Sequence, residues 1–281
     1  MKNIIYALLL VSSVLGSCKK NENKRLTDLS YEVEVTGNQV TFRSITTGIT
    51  SYKWDFGDGQ TSTEANPVHT YPGKGKYVPT LYATVGGRSA EASTVLRIAK
   101  SSPVKINDKT LADWDNVTAN VITSGAKGGI FRKVKYDYDG NYIYIYVEMV
   151  SLKTNADIFD FYIDSDNSSS TGLLGGFPGG GYDILMEGQL LTAGVDIFYH
   201  NGAQTSFTFQ KQSISDAYQV GTVVQEGGLL KFEMQLVRGK LKGLTGTGAR
   251  IGITATKNDW SVTLGSAPDE GQSGYVIDMS E

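Results

Sequence analysis

Short segments in which apolar and polar residues alternate run from residue 29 to residue 99. In the first of them, Tyr31, Val33 and Val35 alternate with polar side chains, which is the period of a half-buried β-strand. Turn sequences such as Gly57-Asp58-Gly59 separate the segments, and glycine supplies the positive φ that tight hairpins need. The regular spacing of strands and turns predicts a small β-sandwich.

Two further strands are predicted at the end of this region, over residues 77–85 and 92–98. Pro79 lies inside the first of them. Since proline has no backbone N–H to donate to a ladder, we expect this position at a sheet edge or a bulge.

A set of aromatic and turn residues in this region resembles the PKD domain (polycystic kidney disease repeat) in order and spacing: Trp54-Asp55-Phe56-Gly57-Asp58-Gly59, Pro67, His69-Thr70-Tyr71, Gly73 and Gly75. The resemblance implies a seven-stranded, immunoglobulin-like sandwich over residues 29–100 that serves as a spacer or interaction module. Trp54 is then expected in its core. Asp55 and Asp58 are expected to bond turn amides, and His69 to be a hydrogen-bonding structural residue.

Strand patterns continue after a polar linker at residues 100–103, and no long helical stretch interrupts them. They cover residues 131–138, 142–149, 160–163, 195–199, 206–210, 229–236 and 250–256. In the segment 142–149 isoleucine and valine line one face and tyrosine the other, so this strand is expected to be internal with both faces covered. With 33 Gly and 16 Tyr, the chain is predicted to be all-β, an N-terminal Ig-like (PKD) β-sandwich followed by a larger β-sandwich over residues 101–281.

Three features of the second region resemble the family 9 carbohydrate-binding modules and related DOMON-like sandwiches. They are an opening segment with Asp108, Leu111, Asp113 and Trp114, a Tyr-rich strand after an Asp-Gly turn, and the pair FYIDSDNSSSTG and GYDILMEG. The resemblance implies a sandwich that binds a sugar between aromatic rings.

Oxygen-bearing side chains cluster where the predicted strand 160–163 ends. Asp164, Asp166 and Asn167 lie close together in the sequence, and Asp183 opens the next strand, so it is expected to come from the neighbouring loop. Calcium takes about six to eight oxygen ligands, often from closely spaced Asp and Asn. These residues therefore form a candidate metal site, with a structural calcium as the expected ion. The alternative is a turn stabilised by Asx hydrogen bonds.

Aromatic side chains are the candidates for contact with a sugar, because C–H patches of sugars pack on π-systems. Trp260 lies among polar neighbours in a late loop and is the first candidate. Trp114 is more often a packing residue in the opening motif of the resembled family. Tyr182, Tyr199 and Phe177, the last at the tip of a glycine-rich loop expected to be mobile, are weaker candidates.

The N-terminal residues predict export. A short apolar run from Ile4 to Val14 follows a lysine, and it has the length of a signal-peptide h-region rather than of a membrane span. Gly16-Ser17 leads directly to Cys18, the only cysteine of the chain. This arrangement resembles the bacterial lipobox, which implies a lipoprotein signal peptide over residues 1–17 and lipidation of Cys18. The alternative is an ordinary secretory signal.

A polar tether is predicted over residues 18–28, and no second apolar run approaches the length of a membrane span. We expect a Bacteroidetes-type lipoprotein, anchored to the outer membrane at the cell surface. Surface export is usually marked by acidic residues after the cysteine, whereas this stretch is mainly basic. The net charge is −3 and no basic stripe occurs, so a nucleic-acid partner is not expected.

Catalysis finds little support in the sequence. The two histidines, His69 and His200, fall in different predicted domains, and no hydrolase or zinc-protease motif occurs. A glycosidase needs two carboxylates about 5 to 10 Å apart, which the sequence neither provides nor excludes. The leading hypothesis is a non-enzymatic, lipid-anchored protein that binds a polysaccharide or oligosaccharide. The alternatives are a structural or adhesive protein that binds envelope proteins and a glycan-active enzyme.

Overall fold

The structure, a computed structural model, describes residues 28–280. Apart from two short 3-10 helices, Ala112–Asn116 and Lys153–Asn155, its regular elements are β-strands. The fold class predicted from the sequence is confirmed: an Ig-like PKD sandwich precedes a larger β-sandwich. Within the described residues, no helix is both long and apolar enough to cross a membrane. The signal peptide, Cys18 and all but the last residue of the predicted tether lie outside the described residues.

The N-terminal part contains nine short strands between residues 31 and 98. They are β1 Tyr31–Thr36, β2 Gln39–Ser44, β3 Ile49–Asp55, β4 Thr61–Ser62, β5 Val68–Thr70, β6 Gly75–Tyr77, β7 Thr80–Val85, β8 Arg88–Ser93 and β9 Leu96–Ile98. A three-stranded sheet (β1-β2-β5) and a four-stranded sheet (β4-β3-β7-β8) lie beside a two-stranded ladder (β6-β9). Trp54 is fully buried in their shared core, as predicted.

Two of the predicted strands are wrong in their bounds. The segment 77–85 is divided into β6 and β7, and Pro79 lies between them, where no ladder N–H is required. Its carbonyl instead accepts hydrogen bonds from Tyr31 Oη (2.6 Å) and from the amide of Thr94 (3.3 Å). The segment 92–98 is divided between β8 and β9, which belong to different sheets.

His69 and the two turn aspartates have the structural roles predicted for them. Asp55 accepts a hydrogen bond from the amide of Gly57 (2.9 Å), and Asp58 accepts one from the amide of Gln60 (3.0 Å). His69 Nε2 lies 2.7 Å from Asp58 Oδ2. Burial raises the pKa of Asp58, but the hydrogen bond and charge attraction of His69 and the Gln60 amide outweigh it, so that this pKa lies below its usual value.

Twelve strands form the C-terminal part between residues 121 and 278. They are β10 Val121–Thr123, β11 Phe131–Tyr138, β12 Tyr142–Val150, β13 Ile158–Asp164, β14 Ile184–Gly188, β15 Asp196–His200, β16 Phe209–Gln212, β17 Tyr218–Glu226, β18 Leu229–Val237, β19 Gly248–Thr256, β20 Thr263–Ala267 and β21 Tyr275–Asp278. A five-stranded sheet (β10-β11-β12-β18-β17) faces a seven-stranded sheet (β16-β15-β14-β13-β19-β20, with β21 also on β19), and the main core lies between them.

Both faces of β12 are covered, as its pattern predicts. Ile143 and Ile145 point into the main core and are fully buried. Tyr146, on the opposite face, packs against Trp114 with ring centroids 5.6 Å apart. Trp114 Nε1 donates a hydrogen bond to the fully buried carboxylate of Glu233 (2.8 Å), which fixes the segment before β10 on the outside of the five-stranded sheet.

The outer face of the seven-stranded sheet is covered by the loop between β13 and β14. Leu173, Phe177 and Tyr182 of this loop form a buried cluster that packs on Tyr162 of β13. Phe177 is seated over Gly252 of β19, where a Cβ would lie 2.2 Å from the phenyl ring. The glycine-rich loop expected to be mobile is therefore anchored to the sheet by its aromatic residues.

Candidate functional site

Three aspartates meet at the end of β13. Oxygens of Asp164, Asp166 and Asp183 all lie within 4.8 Å of one another. Asp164 is the last residue of β13 and Asp166 begins the following loop, whereas Asp183 immediately precedes β14, which pairs with β13. Strand pairing therefore brings Asp183 to the other two, as the sequence predicts.

Hydrogen bonds hold these carboxylates in place. Asp164 accepts from the amides of Ser168 (3.0 Å) and Gly181 (3.2 Å). One oxygen of Asp183 accepts from both the amide and the hydroxyl of Ser165, each at 3.0 Å. The group thus has the Asx-type loop bonding that the sequence offered as the alternative, together with the oxygen ligands that calcium prefers.

Burial and mutual repulsion disfavour the ionised forms of Asp164 and Asp183. Burial raises the pKa of Asp164 to about 6; amide hydrogen bonds oppose the rise, and Asp183 and Asp166 add to it. The pKa of Asp183 is raised by burial as well. A divalent cation would relieve this repulsion, so the donor set fits one. A cation of the chain is already close, because Arg250 Nε lies 3.8 Å from Asp164 Oδ2.

Asn167, the fourth predicted ligand, is bonded to an arginine. Its backbone has a positive φ of 53°, and its amide oxygen accepts a hydrogen bond from Arg250 Nη2 (3.3 Å). Its role as a metal ligand beside the three carboxylates stays a prediction.

Trp260 is the exposed tryptophan. Its side chain lies in the turn between β19 and β20 and is 55% exposed, whereas Trp54 and Trp114 are buried. The turn is ordered by local bonds: the Trp260 amide donates to the carbonyl of Lys257 (2.8 Å), and the Asp259 carboxylate lies 2.8 Å from Lys257 Nζ. The indole is therefore presented to solvent from a fixed turn.

Burial corrects the interpretation of two other aromatic candidates. Trp114 is 1% exposed under the opening segment, and Tyr182 is 0% exposed in the loop cluster, so neither ring has a face free for a sugar. Both are packing residues.

The other two aromatic candidates, Phe177 and Tyr199, line different cavities. Phe177 is not at a mobile tip but lies on the sheet, where it forms one wall of a cavity beside β19 and β20. Tyr199 is half-buried, its hydroxyl accepts from the amide of Lys242 (3.0 Å), and it lines a small cavity of about 190 Å³ with Asp166 and Asp183. The structure thus brings Tyr199 to the aspartates and places Phe177 in another cavity.

An exposed aromatic group that sequence reasoning missed lies at the edge of the seven-stranded sheet. Phe207 is 64% exposed and stands edge-on to Phe209, which in turn contacts His200. Leu174 is 52% exposed, and its amide is bonded to Gln204 in the loop before β16. No local sequence pattern marks these residues, because both lie in loops, where no strand alternation distinguishes exposed from buried positions.

The comparisons with known proteins confirm the PKD domain. The family model "PKD domain" matches residues 27–99. Collagenase ColQ1 of Bacillus cereus (strain Q1) is 44% identical over 55 residues, which are 19% of this chain and 6% of the collagenase. Collagenase ColA of Bacillus cereus is 40% identical over 79 residues, 27% of this chain and 8% of that protein. The chain therefore spans less than a tenth of these relatives.

Two solved structures are similar to parts of this chain. The PKD1 domain of the Vibrio cholerae metalloprotease PrtV is 37% identical and matches 25% of this chain and 93% of that domain, with a TM-score of 0.24. A carbohydrate-binding module of the β-sandwich superfamily covers 74% of this chain and 90% of its own, at 15% identity and a TM-score of 0.27. For the C-terminal part, the architecture rests on the strand pairing described above.

Proposed function

We propose that this chain is a lipid-anchored cell-envelope protein in which the PKD domain is a spacer and the C-terminal sandwich binds a glycan. The observation that carries the glycan-binding part is Trp260: a half-exposed indole held on an ordered turn, with charged neighbours. An aromatic face surrounded by polar groups is the arrangement that recognises sugars. The protein acts by binding and not by catalysis.

A panel titration tests the binding. Isothermal titration of the full chain, solubilised in detergent, against neutral and acidic polysaccharides is expected to find at least one ligand. Trp260→Ala should weaken its binding by about tenfold, the loss of one aromatic contact together with its burial. Phe207→Ala is the matched control, because it removes another exposed ring from a distant edge of the sandwich. No heat with any glycan in the panel would refute the proposal.

The anchor is tested separately. Membrane attachment through Cys18 predicts that the protein partitions into detergent and that mass spectrometry finds acyl chains on its N-terminal peptide. A stable anchor needs two or more chains. Cys18→Ser should release the protein into the aqueous phase. Surface exposure at the outer membrane is expected to make it accessible to protease in intact cells, and protection would place it at the inner leaflet.

A second candidate function is binding of another envelope protein. The exposed Phe207 and Leu174 favour it, since large side chains of this exposure mark interaction surfaces when they lie together. Cross-linking in intact cells, compared between wild type and Phe207→Ala, distinguishes this function from glycan binding. Retention of a cross-linked partner only by the wild type would support it.

A further inference from the structure

A cavity of about 600 Å³ lies over β19 and β20, on the outer side of the seven-stranded sheet. We call it the Ser266 pocket. Its lining includes Lys127, Phe177, Thr254, Leu264, Ser266 and Glu270. Its volume lies within the range of about 300 to 1,000 Å³ that is usual for small-molecule sites.

The walls of the Ser266 pocket are held by bonds between distant segments. Both oxygens of the Asp269 carboxylate accept from the amide of Gly125 at 3.0 Å, and the amide of Glu270 donates to the carbonyl of Lys127 (3.3 Å). Gly129 approaches the main chain of β20 so closely that a Cβ would lie 2.1 Å from the carbonyl oxygen of Leu264. The pocket is therefore built into the fold.

A row of polar residues crosses the sheet at this pocket. Glu187 is opposite Asp160, Asp160 is opposite Thr254, and Thr254 is opposite Ser266, so the four side chains share the outer face of adjacent strands. Thr254 Oγ1 donates to Asp160 Oδ2 (3.1 Å).

Two atoms of this row lack partners. Asp160 Oδ1 and Ser266 Oγ are buried and make no hydrogen bond with any residue that the structure describes. Asp160 is 9% exposed and Ser266 is 7% exposed. Buried polar atoms are nearly always bonded, and of these two residues Ser266 lines the cavity whereas Asp160 does not. The unpaired hydroxyl of Ser266 therefore indicates a guest with hydroxyl groups in the cavity.

The charges around the pocket select the kind of guest. Glu270 and Lys127 are the charged residues of the lining, so the lining has no net charge and no excess of cations for a carboxylated or sulfated ligand. Phe177 and Leu264 offer apolar surface on the same cavity. A ligand with hydroxyl groups on an apolar C–H framework can bond the polar residues of the lining and pack against its apolar residues.

We propose that the Ser266 pocket binds one residue of a neutral saccharide, with one hydroxyl of the sugar bonding Ser266 Oγ and another donating to the carboxylate of Glu270. This inference rests on the proposed glycan-binding function and names its site and ligand class. Trp260, in the turn between the two strands that carry Thr254 and Ser266, would then contact the part of the glycan that extends from the pocket.

Titration calorimetry on the full chain in detergent tests the inference. The probes are neutral hexasaccharides of glucose, mannose and xylose, with hexagalacturonate as the acidic comparison. Ser266→Ala should weaken binding of the neutral ligand by about fivefold, and Glu270→Gln by about thirtyfold, because a bond to a charged acceptor is the stronger. Ser44→Ala is the matched control: Ser44 Oγ is likewise buried without a partner, but in the PKD domain. Thermal unfolding of each variant verifies that it folds.

The outcomes separate the two proposals. Binding of a neutral ligand that both pocket variants leave unchanged would overturn the pocket, attribute its unpaired atoms to water, and leave the proposed function standing. Binding of hexagalacturonate alone would refute the neutral ligand class. Absence of binding by every glycan would refute the proposed function and the inference together.

Discussion

Replacement of Asp160 by asparagine should change the stability of the protein in a way that depends on pH. The substitution keeps the shape of the side chain and removes its charge. Burial raises the pKa of Asp160 to about 6, the charge of Glu187 adds to the rise, and the hydrogen bond from Thr254 opposes it. The ionised carboxylate therefore destabilises the folded state at neutral pH.

The sign and magnitude follow from linkage. The folded pKa of about 6 lies above the usual pKa of 3.8 for an aspartate, so the native state binds more protons than the unfolded state between these pH values. Stability contributed by this group is present at low pH and is lost as pH rises through about 6. At about 1.36 kcal/mol per pKa unit, the cost at pH 7.5 is roughly 3 kcal/mol. Asparagine does not titrate and avoids it.

Urea denaturation at pH 7.5 and at pH 4.0, followed by tryptophan fluorescence, measures the effect. The stability of Asp160→Asn relative to wild type should be about 2 to 3 kcal/mol more favourable at pH 7.5 than at pH 4.0. An unpaired amide N–H costs about 1 to 3 kcal/mol, but this cost is the same at both pH values and cancels in the comparison.

Asp196→Asn is the control, because it removes an exposed carboxylate from the neighbouring part of the same sheet. A pH dependence under about 0.5 kcal/mol for Asp160→Asn, or an equal one for the control, would refute the reasoning.

Three other outcomes are expected. Gly252→Ala should destabilise the protein by about 1 to 3 kcal/mol in urea denaturation, because the new methyl group would overlap the ring of Phe177; unchanged stability would contradict this packing. Added calcium should raise the melting temperature of the wild type and not that of Asp183→Asn, and an equal melting temperature with calcium and with chelator would exclude the ion. Asp58→Asn should destabilise the PKD domain by about 1.5 to 3 kcal/mol at pH 7, since it removes a charged partner of His69. Because the folded pKa of Asp58 is lowered, this difference should shrink as pH falls through it, and a difference constant with pH would refute stabilisation by the ionised Asp58.

Where a strand has a clear binary pattern and a turn signal, the sequence predicts it well. The bounds of β11 agree with the prediction to the residue, because the alternation ends at an Asp-Gly turn. By contrast, β17 was not predicted: its residues are mostly half-buried, and a register shift between Val220 and Val223 breaks its alternation. Burial in such a strand is set by its partner β18 and leaves little trace in its own sequence.

The residues of the candidate site divide in the same way, into those that a local sequence pattern predicts and those that depend on contacts between distant parts of the chain. Asp164 and Asp166 are neighbours in the chain, so a local pattern was enough to group them. The bond between Trp114 and Glu233 joins residues 119 positions apart, and the pairing of Thr254 with Ser266 depends on a hairpin register. Asp160 offered one usable signal: it alternates with Phe159 and Phe161, which assigns it to the face of Asp164.

Main-chain contacts at Gly129 and Gly265 determine the aperture of the Ser266 pocket. A Cβ on Gly265 would lie 2.3 Å from the carbonyl oxygen of Gly128, just as one on Gly129 would meet Leu264. The width of the opening is thus set by main-chain contacts and does not depend on the side chains at its rim. Exchange of Lys127 or Glu270 can retune which sugar is preferred while the aperture stays constant. The specificity can therefore change while the scaffold is preserved. A library of variants confined to those two positions would yield folded proteins with altered ligand preferences.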